Sequence, residues 1–300
     1  MRRRALLGTG IGMTLLDAAA DRSSPALASY YALHLALVGG VAWIWRGRGK
    51  PERLLDGVLQ VGASRDAWFA LRDGGELISG SGRGRGADAR TLFRGAVRFA
   101  AGQSGWFAID LQTTLWYAGS GGEPVQRTAE RVVAACIGDS ADYYVTSDGT
   151  LHVKGLAHRG QYGDGKLAAT PGFVATANDV LDVKAHTGHA IHLKRDGVVM
   201  GTGGNRYGPL GAHGLGDKAD RWGPVFDGAR RIATGSRHSA AIRGDGSLWA
   251  WGEGFAIQPQ RLMGGVVAVA AGDTATIALD ADGALWQWES GAGPQRVPLR

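Results

Sequence analysis

The chain has 300 residues, 33 Lys and Arg against 27 Asp and Glu, and one cysteine, Cys136. A lone thiol excludes an internal disulfide framework, and its apolar strand-like surroundings make it a buried structural residue. Fifty glycines, about twice the usual share of roughly 7%, without a collagen triplet or a low-complexity tract, require many tight turns.

The first fifty residues differ from the rest. Arg2, Arg3 and Arg4 precede a short apolar run, and Arg3-Arg4 with Ala18–Ala20 resembles a twin-arginine export signal and its small-residue cleavage site. Residues 26–45 hold no charge and one histidine, His34, with Tyr30, Tyr31, Trp43 and Trp45 at the ends and Arg46, Arg48 and Lys50 following. About 20 apolar residues with interfacial aromatics and a basic flank fit a membrane-spanning helix. Residues 1–50 are therefore expected to be a signal and membrane-anchor segment with its span at 26–45, a helix packed on the main domain being the alternative. The basic residues after the span favour the cytoplasmic side for the following domain, over a periplasmic one. Residues 1–50 carry seven Lys/Arg against Asp17 and Asp21, leaving 26 basic and 25 acidic residues beyond position 50. That near-neutral balance argues against nucleic acid as a partner.

From Pro51 a pattern recurs: a Pro-led strand, an apolar strand ending in Gly, then a hairpin. The glycines are Gly62, Gly102, Gly138, Gly235 and Gly272, and the hairpin turns carry Asp73, Asp148, Asp196, Asp245 and Asp282. Asp-Gly between apolar runs is a strong hairpin signal. Leu77, Leu115, Leu151, Val199, Leu248 and Leu285 are equivalent, spaced by 38, 36, 48, 49 and 37 residues. About four short strands per period of this size predict an all-β chain, a β-propeller over residues 51–300. Six four-stranded blades are expected, seven if a degenerate unit lies within residues 78–96. Pro294–Arg300, a seventh copy of the opening strand, is expected to pair with the first unit and latch the ring; a solenoid of stacked hairpins is the competing architecture.

Gly235-x-x-His238 followed by Asp245-Gly, Gly203-x-Asn205-x-x-Gly208-x-Leu210-Gly211, and Gly160-Gln161-Tyr162-Gly163 together resemble the regulator of chromosome condensation repeat family. The short units resemble its compact bacterial branch. The resemblance implies a propeller that works as a binding platform, with His189 and His238 as repeat positions bonding a neighbouring blade. It also raises an exchange-factor-like regulator of a small GTPase as an alternative function.

No catalytic constellation, cofactor site or metal site is evident. His186, His189 and His192 cannot all converge from one strand, and a fourth zinc ligand is lacking. Ser236, His238 and Asp245 have the spacing of the repeat and lack a nucleophile elbow. Asp residues in the hairpins cap local amides. Trp116, Trp249, Trp251, Trp286 and Trp288 are expected to fill space between blades. An enzyme with a central-channel site would need polar side chains converging on the axis, and no matching set recurs across units. The expected function is a monomeric, membrane-tethered, non-enzymatic platform that binds a protein through the loops of one ring face. The candidate partner-binding residues lie in the two longest loops: Trp222, Arg221, Tyr207, Arg206, His213, Tyr162 and Arg159, with Trp68, Trp106 and Phe107 next.

Overall fold

A computed structural model describes residues 26–83, 86–212, 216–289 and 291–299. The described residues form seven antiparallel four-stranded sheets and no helix. The blades span residues 26–56, 58–94, 96–129, 132–177, 180–226, 229–263 and 266–297. Each is a simple meander, and its first strand touches the first strands of the two neighbouring blades, so these inner strands line a closed ring.

The run expected to cross a membrane is the first blade. Ala26–Tyr30, Leu33–Val38 and Val41–Arg46 are its first three strands, paired in register from Ala26↔Leu37 and Val38↔Val41. Tyr31 at φ 49 breaks the run once, and Gly39 and Gly40 at φ 60 and 79 break it again. Consecutive left-handed positions make the two-residue turn that suits a right-twisted hairpin. No helix among the described residues is long and apolar enough to cross a membrane. The expected boundary at residue 50 therefore falls inside a blade, between its third strand and its outer strand Glu52–Asp56. The export-like motif at Arg3-Arg4 lies outside the described residues.

Second strands explain why this blade resembles a span. Leu33–Val38, Gly105–Asp110, Ala141–Thr146, His189–Lys194, His238–Arg243 and Ala275–Asp280 are each buried over their first five residues. A strand packed between two neighbouring sheets loses the alternation that marks a half-solvated one. Seven blades stand, with the extra one at 26–56 and not within 78–96.

Ring closure also differs from expectation. Gln295–Val297 pairs with Leu285–Gln287 of its own blade and not with the first unit. Blades seven and one instead meet face to face, Ala36 and Trp45 packing on Ala268, Ile277 and Leu285. Trp45 Nε1 donates to Gln287 Oε1 at 3.0 Å, and Gln287 Nε2 donates to the Gly47 carbonyl at 3.0 Å. The joint is sealed by side-chain packing and a buried amide, the same kind of contact that joins the other blades.

The hairpin turns hold the blades to one another. The amides of Val58, Ala96, Val132, Val180, Ala229 and Val266 each start an inner strand. They donate to Gly40, Gly75, Thr113, Gly149, Gly197 and Gly246, all in the hairpin turn of the preceding blade. Asp148, Asp196 and Asp245 accept the amide two residues on, at 3.1, 3.0 and 2.8 Å. In blade seven Asp280 takes this part in place of Asp282, accepting from Ala284 N at 2.8 Å.

The repeated glycines have a reason in the next blade. A Cβ on Gly138 would sit 2.8 Å from the Ala141 carbonyl oxygen and 3.0 Å from that of His186. Gly102 is crowded by Ile137 and Gly272 by Ser29 and Tyr31 of the following blade, and Gly235 by Gly272 of the following blade and by His238 of its own. Gly62 lies elsewhere in its blade, opposite Phe69, where a Cβ would strike the Phe99 ring.

Candidate functional site

In a meander, the first-to-second and third-to-fourth connections leave from one end of the sheet. Blade crossings and the central hairpins occupy the other. The first end carries the two long connections, residues 156–169 of blade four and 205–217 of blade five. It also carries Val125, Leu156, Leu167, Tyr207 and Ile257, five of the seven exposed large hydrophobic side chains among the described residues; Leu111 and Leu181 lie at the other end. Exposed apolar side chains gathered on one face mark an interaction surface more than scattered ones do.

The long connections are built from repeated turns. Gly160 N bonds the Ala157 carbonyl and Gly163 N the Gly160 carbonyl; Gly208 N bonds the Asn205 carbonyl and Gly211 N the Gly208 carbonyl. Asn205 Oδ1 accepts from Leu210 N at 3.0 Å, which seats the fully buried Leu210 beneath the loop. Each loop is then tied to the next blade. Thr202 Oγ1 donates to the Gly160 carbonyl at 2.8 Å, while Ser239 Oγ and Trp251 Nε1 donate to the Pro209 carbonyl at 2.9 and 2.8 Å. Loops fastened this way lose little conformational entropy on binding.

Between them lies a cleft of about 540 Å³, reaching from blade four to blade one. Arg159, Arg206, Lys218 and Arg237 edge it, with Asp217, Asp273, Tyr31 and Tyr207. Arg237 is held by Glu253 at 3.1 and 3.0 Å and its guanidinium lies 4.6 Å from the Tyr207 ring centroid. Three candidates, Arg159, Arg206 and Tyr207, thus converge on one cleft.

Tyr162 and Trp222 turn inward, while Arg221 stays exposed. Tyr162 is fully buried, its hydroxyl donating to the Gly155 carbonyl at 2.9 Å. Trp222 packs on His192, ring centroids 4.4 Å apart, in the core shared by blades four and five. Arg221 forms a bridge with Asp164 that lays the blade-four loop along the blade-five outer strand. His213 lies outside the described residues. Trp68, Trp106 and Phe107 are buried. Reading the sequence missed Lys218, Arg237, Asp273 and Tyr31; they come from four blades with no shared spacing, and Tyr31 lay in the supposed span.

The chemistry of the buried groups is structural. Burial pushes the Cys136 thiol up to about 11, and its sulfur accepts Ala185 N at 3.1 Å. His186, His189 and His192 face the channel, blade six and Trp222, and desolvation lowers them to about 4, 3 and 3. Ser236 Oγ contacts His186 Nδ1 at 3.3 Å, while His238 Nε2 pairs with Thr276 Oγ1 at 2.8 Å, so Ser236, His238 and Asp245 form no triad. No group of three or more His, Cys, Asp or Glu among the described residues is placed to hold a metal. The central channel is a cavity of about 220 Å³ walled mainly by small residues such as Ala28, Ala63, Ala101, Ala135 and Ala271.

Two of the buried histidines reach the following blade. His189 Nε2 meets Ser239 Oγ at 3.1 Å in blade six, and His238 meets Thr276 in blade seven. The sequence description "Regulator of chromosome condensation (RCC1) repeat" matches residues 229–257, which is blade six almost from end to end. Blade six is similar to an RCC1 repeat.

The ring as a whole is similar to solved propellers. Prp20p from Saccharomyces cerevisiae, characterised for its binding to Gsp1p and histones, aligns with a TM-score of 0.70 at 18% identity, over 84% of this chain and 81% of that one. Human WBSCR16 aligns at 0.58 and 17% identity, over 93% and 82%. The CRINKLY WD40 ectodomain of the Arabidopsis thaliana receptor kinase ACR4 aligns at 0.62 and 14%, over 93% and 98%. At these identities the likeness establishes the propeller fold. Outside blade six the RCC1 pattern fades: the repeat histidine is Ala67, Gly105, Ala141 and Ala275 in blades two, three, four and seven, and the bonded hydroxyl of the next blade is absent after the first three.

Proposed function

We propose that this protein is a non-enzymatic platform that binds a protein partner through the loop face above blades four to six. The observation that carries this reading is the concentration of exposed apolar side chains on that face, around a cleft whose loops are fastened to the ring. Binding then comes from shape, with Tyr207, Ile257 and Leu156 as apolar anchors and arginines beside them, the residue types that dominate interface energetics. Solved propellers of similar fold that bind proteins, Prp20p among them, support a platform and do not name its partner. With residues 26–46 folded as strands, the charge argument for a cytoplasmic domain loses its basis.

The test is capture of a partner from an extract by the full chain, compared with Tyr207→Ser/Ile257→Ser on the loop face and Leu111→Ser at the other end. The loop-face variant is expected to retain under roughly a tenth of the captured partner, as loss of two hot-spot side chains predicts. Equal capture by all three proteins sinks the reading.

A further inference from the structure

The cleft described above has a chemical character that goes beyond a general docking face. Arg159, Arg206 and Lys218 are exposed and have no ion-pair partner among the described residues. The fourth cation of the cleft, Arg237, is paired with Glu253, and elsewhere on the ring cations are commonly matched: Arg53 with Asp56, Arg127 with Glu130, Lys184 with Asp182 and Arg243 with Asp227. The three unmatched cations arrive from different elements, Arg159 from the blade-four loop, Arg206 from the blade-five loop and Lys218 from the start of its outer strand. Two carboxylates, Asp217 and Asp273, line the same cleft, so the excess is positive yet local.

We propose, resting on the platform reading, that this cleft receives an acidic segment of the protein partner. Partner carboxylates would lie against Arg159, Arg206 and Lys218. The Tyr31 and Tyr207 rings supply apolar walls against which the methylene stems of Asp or Glu side chains pack. Planar guanidinium groups suit carboxylates because two parallel N–H donors match two oxygens. An interfacial charge match of this kind sets encounter rate and partner choice more than total affinity.

A nucleic acid fits the same cleft less well. A polyphosphate backbone needs a continuous basic track, while here Asp217 and Asp273 interrupt the lining. Discrete carboxylates on a folded partner can avoid those two acids.

The test uses the full chain and a fluorescein-labelled octaglutamate peptide, read by anisotropy at low salt. Unlabelled octaglutamate and a single-stranded DNA of equal charge serve as competitors. Saturable peptide binding is expected, weakening steeply as salt shortens the screening length. Arg159→Glu/Arg206→Glu should weaken it at least roughly tenfold, while Arg231→Glu, near the opposite end of the ring, leaves it unchanged. Both substitutions are at exposed positions, and an unaltered melting temperature verifies the fold of each variant. Absence of saturable binding, wild-type affinity in the double reversal, or DNA competing as well as unlabelled peptide would each overturn the proposal. If the peptide fails while Tyr207→Ser/Ile257→Ser still abolishes partner capture, the platform stands and the acidic segment alone is rejected.

Discussion

Tyr30 of blade one stacks on His186 of blade five, ring centroids 4.5 Å apart and planes 22° from parallel. Blades two, three and four separate these two in the sequence, and blades six and seven separate them the other way round the ring, so the contact spans the mouth of the channel beneath the loop face. His186 occupies the first-loop position that is glycine in blades three, four, six and seven. The larger side chain turns over the axis, where Thr187 Oγ1 and Ser236 Oγ hold Nδ1 at 3.0 and 3.3 Å. The pair lines the channel at this end, next to Tyr31 and Thr187, which line the cleft.

Burial keeps that imidazole neutral, and this has a pH consequence. Desolvation lowers His186 from 6.5 to about 4, with Asp273 opposing and His238 assisting. The folded value lies below the unfolded one, so its neutral form contributes fully above pH 6.5, and that contribution is lost as pH falls toward 4. His34 and His238, both lowered to about 4, act in the same direction. Urea midpoints are expected to drop between pH 6.5 and 4. His186→Phe, which keeps a ring on Tyr30, should flatten that slope by up to about 1.4 kcal/mol per pH unit. An unchanged slope would show that His186 titrates alike in folded and unfolded chains.

The blade-to-blade histidine contacts should be cooperative pairs. Ser239 Oγ gives its one proton to the Pro209 carbonyl, so His189 Nε2 must be the donor to Ser239. His238 and Thr276 form the equivalent joint at 2.8 Å, both buried. Thr276→Val keeps the shape but strands His238 Nε2, at a cost of about 1–3 kcal/mol. In the double variant with His238→Ala the two penalties should fall short of their sum, as a double-mutant cycle on chemical denaturation would report. Simple additivity would mean that the bond contributes nothing.

Trp222 and Tyr207 should separate stability from binding. Trp222 is wedged between His192 and the backbone of Gly163, where an added Cβ would collide with the indole. Trp222→Ala is expected to cost about 3–5 kcal/mol by leaving a cavity, read as a lower thermal midpoint. Tyr207→Ala, at an exposed position, should change stability by under about 0.5 kcal/mol and weaken partner capture. The reverse pattern would make Trp222 the anchor.

The repeats after residue 57 were legible because the signals are local. Asp148-Gly149, Asp196-Gly197 and Asp245-Gly246 announce hairpins through conformations that Asp and Gly adopt readily, whatever surrounds them. Blade one was misread for an equally physical reason. With both faces of its second strand covered, Leu33–Val38 shows no alternation, and hydrophobicity alone does not separate such a strand from a membrane helix. The Gly39-Gly40 pair was the local clue to the contrary, and Ala42 precedes Leu77 by 35 residues, close to the period of the later units.

The candidate site was legible only in part. Long loops could be located as insertions between repeats, which brought Arg159, Arg206 and Tyr207 into view. Whether a loop residue points out or in is set by what the adjacent blade offers, and there Tyr162 and Trp222 found apolar contacts.

Sequence by itself determined the kind of module and its repetition, since turn chemistry and strand spacing act over a few residues. The tertiary structure alone decided the number of blades, the strandless seal between Trp45 and Gln287, the Tyr30–His186 stack and the company that Arg159, Arg206 and Lys218 keep. Each of these depends on closing a ring that juxtaposes residues tens to hundreds of positions apart, and no local preference encodes that closure.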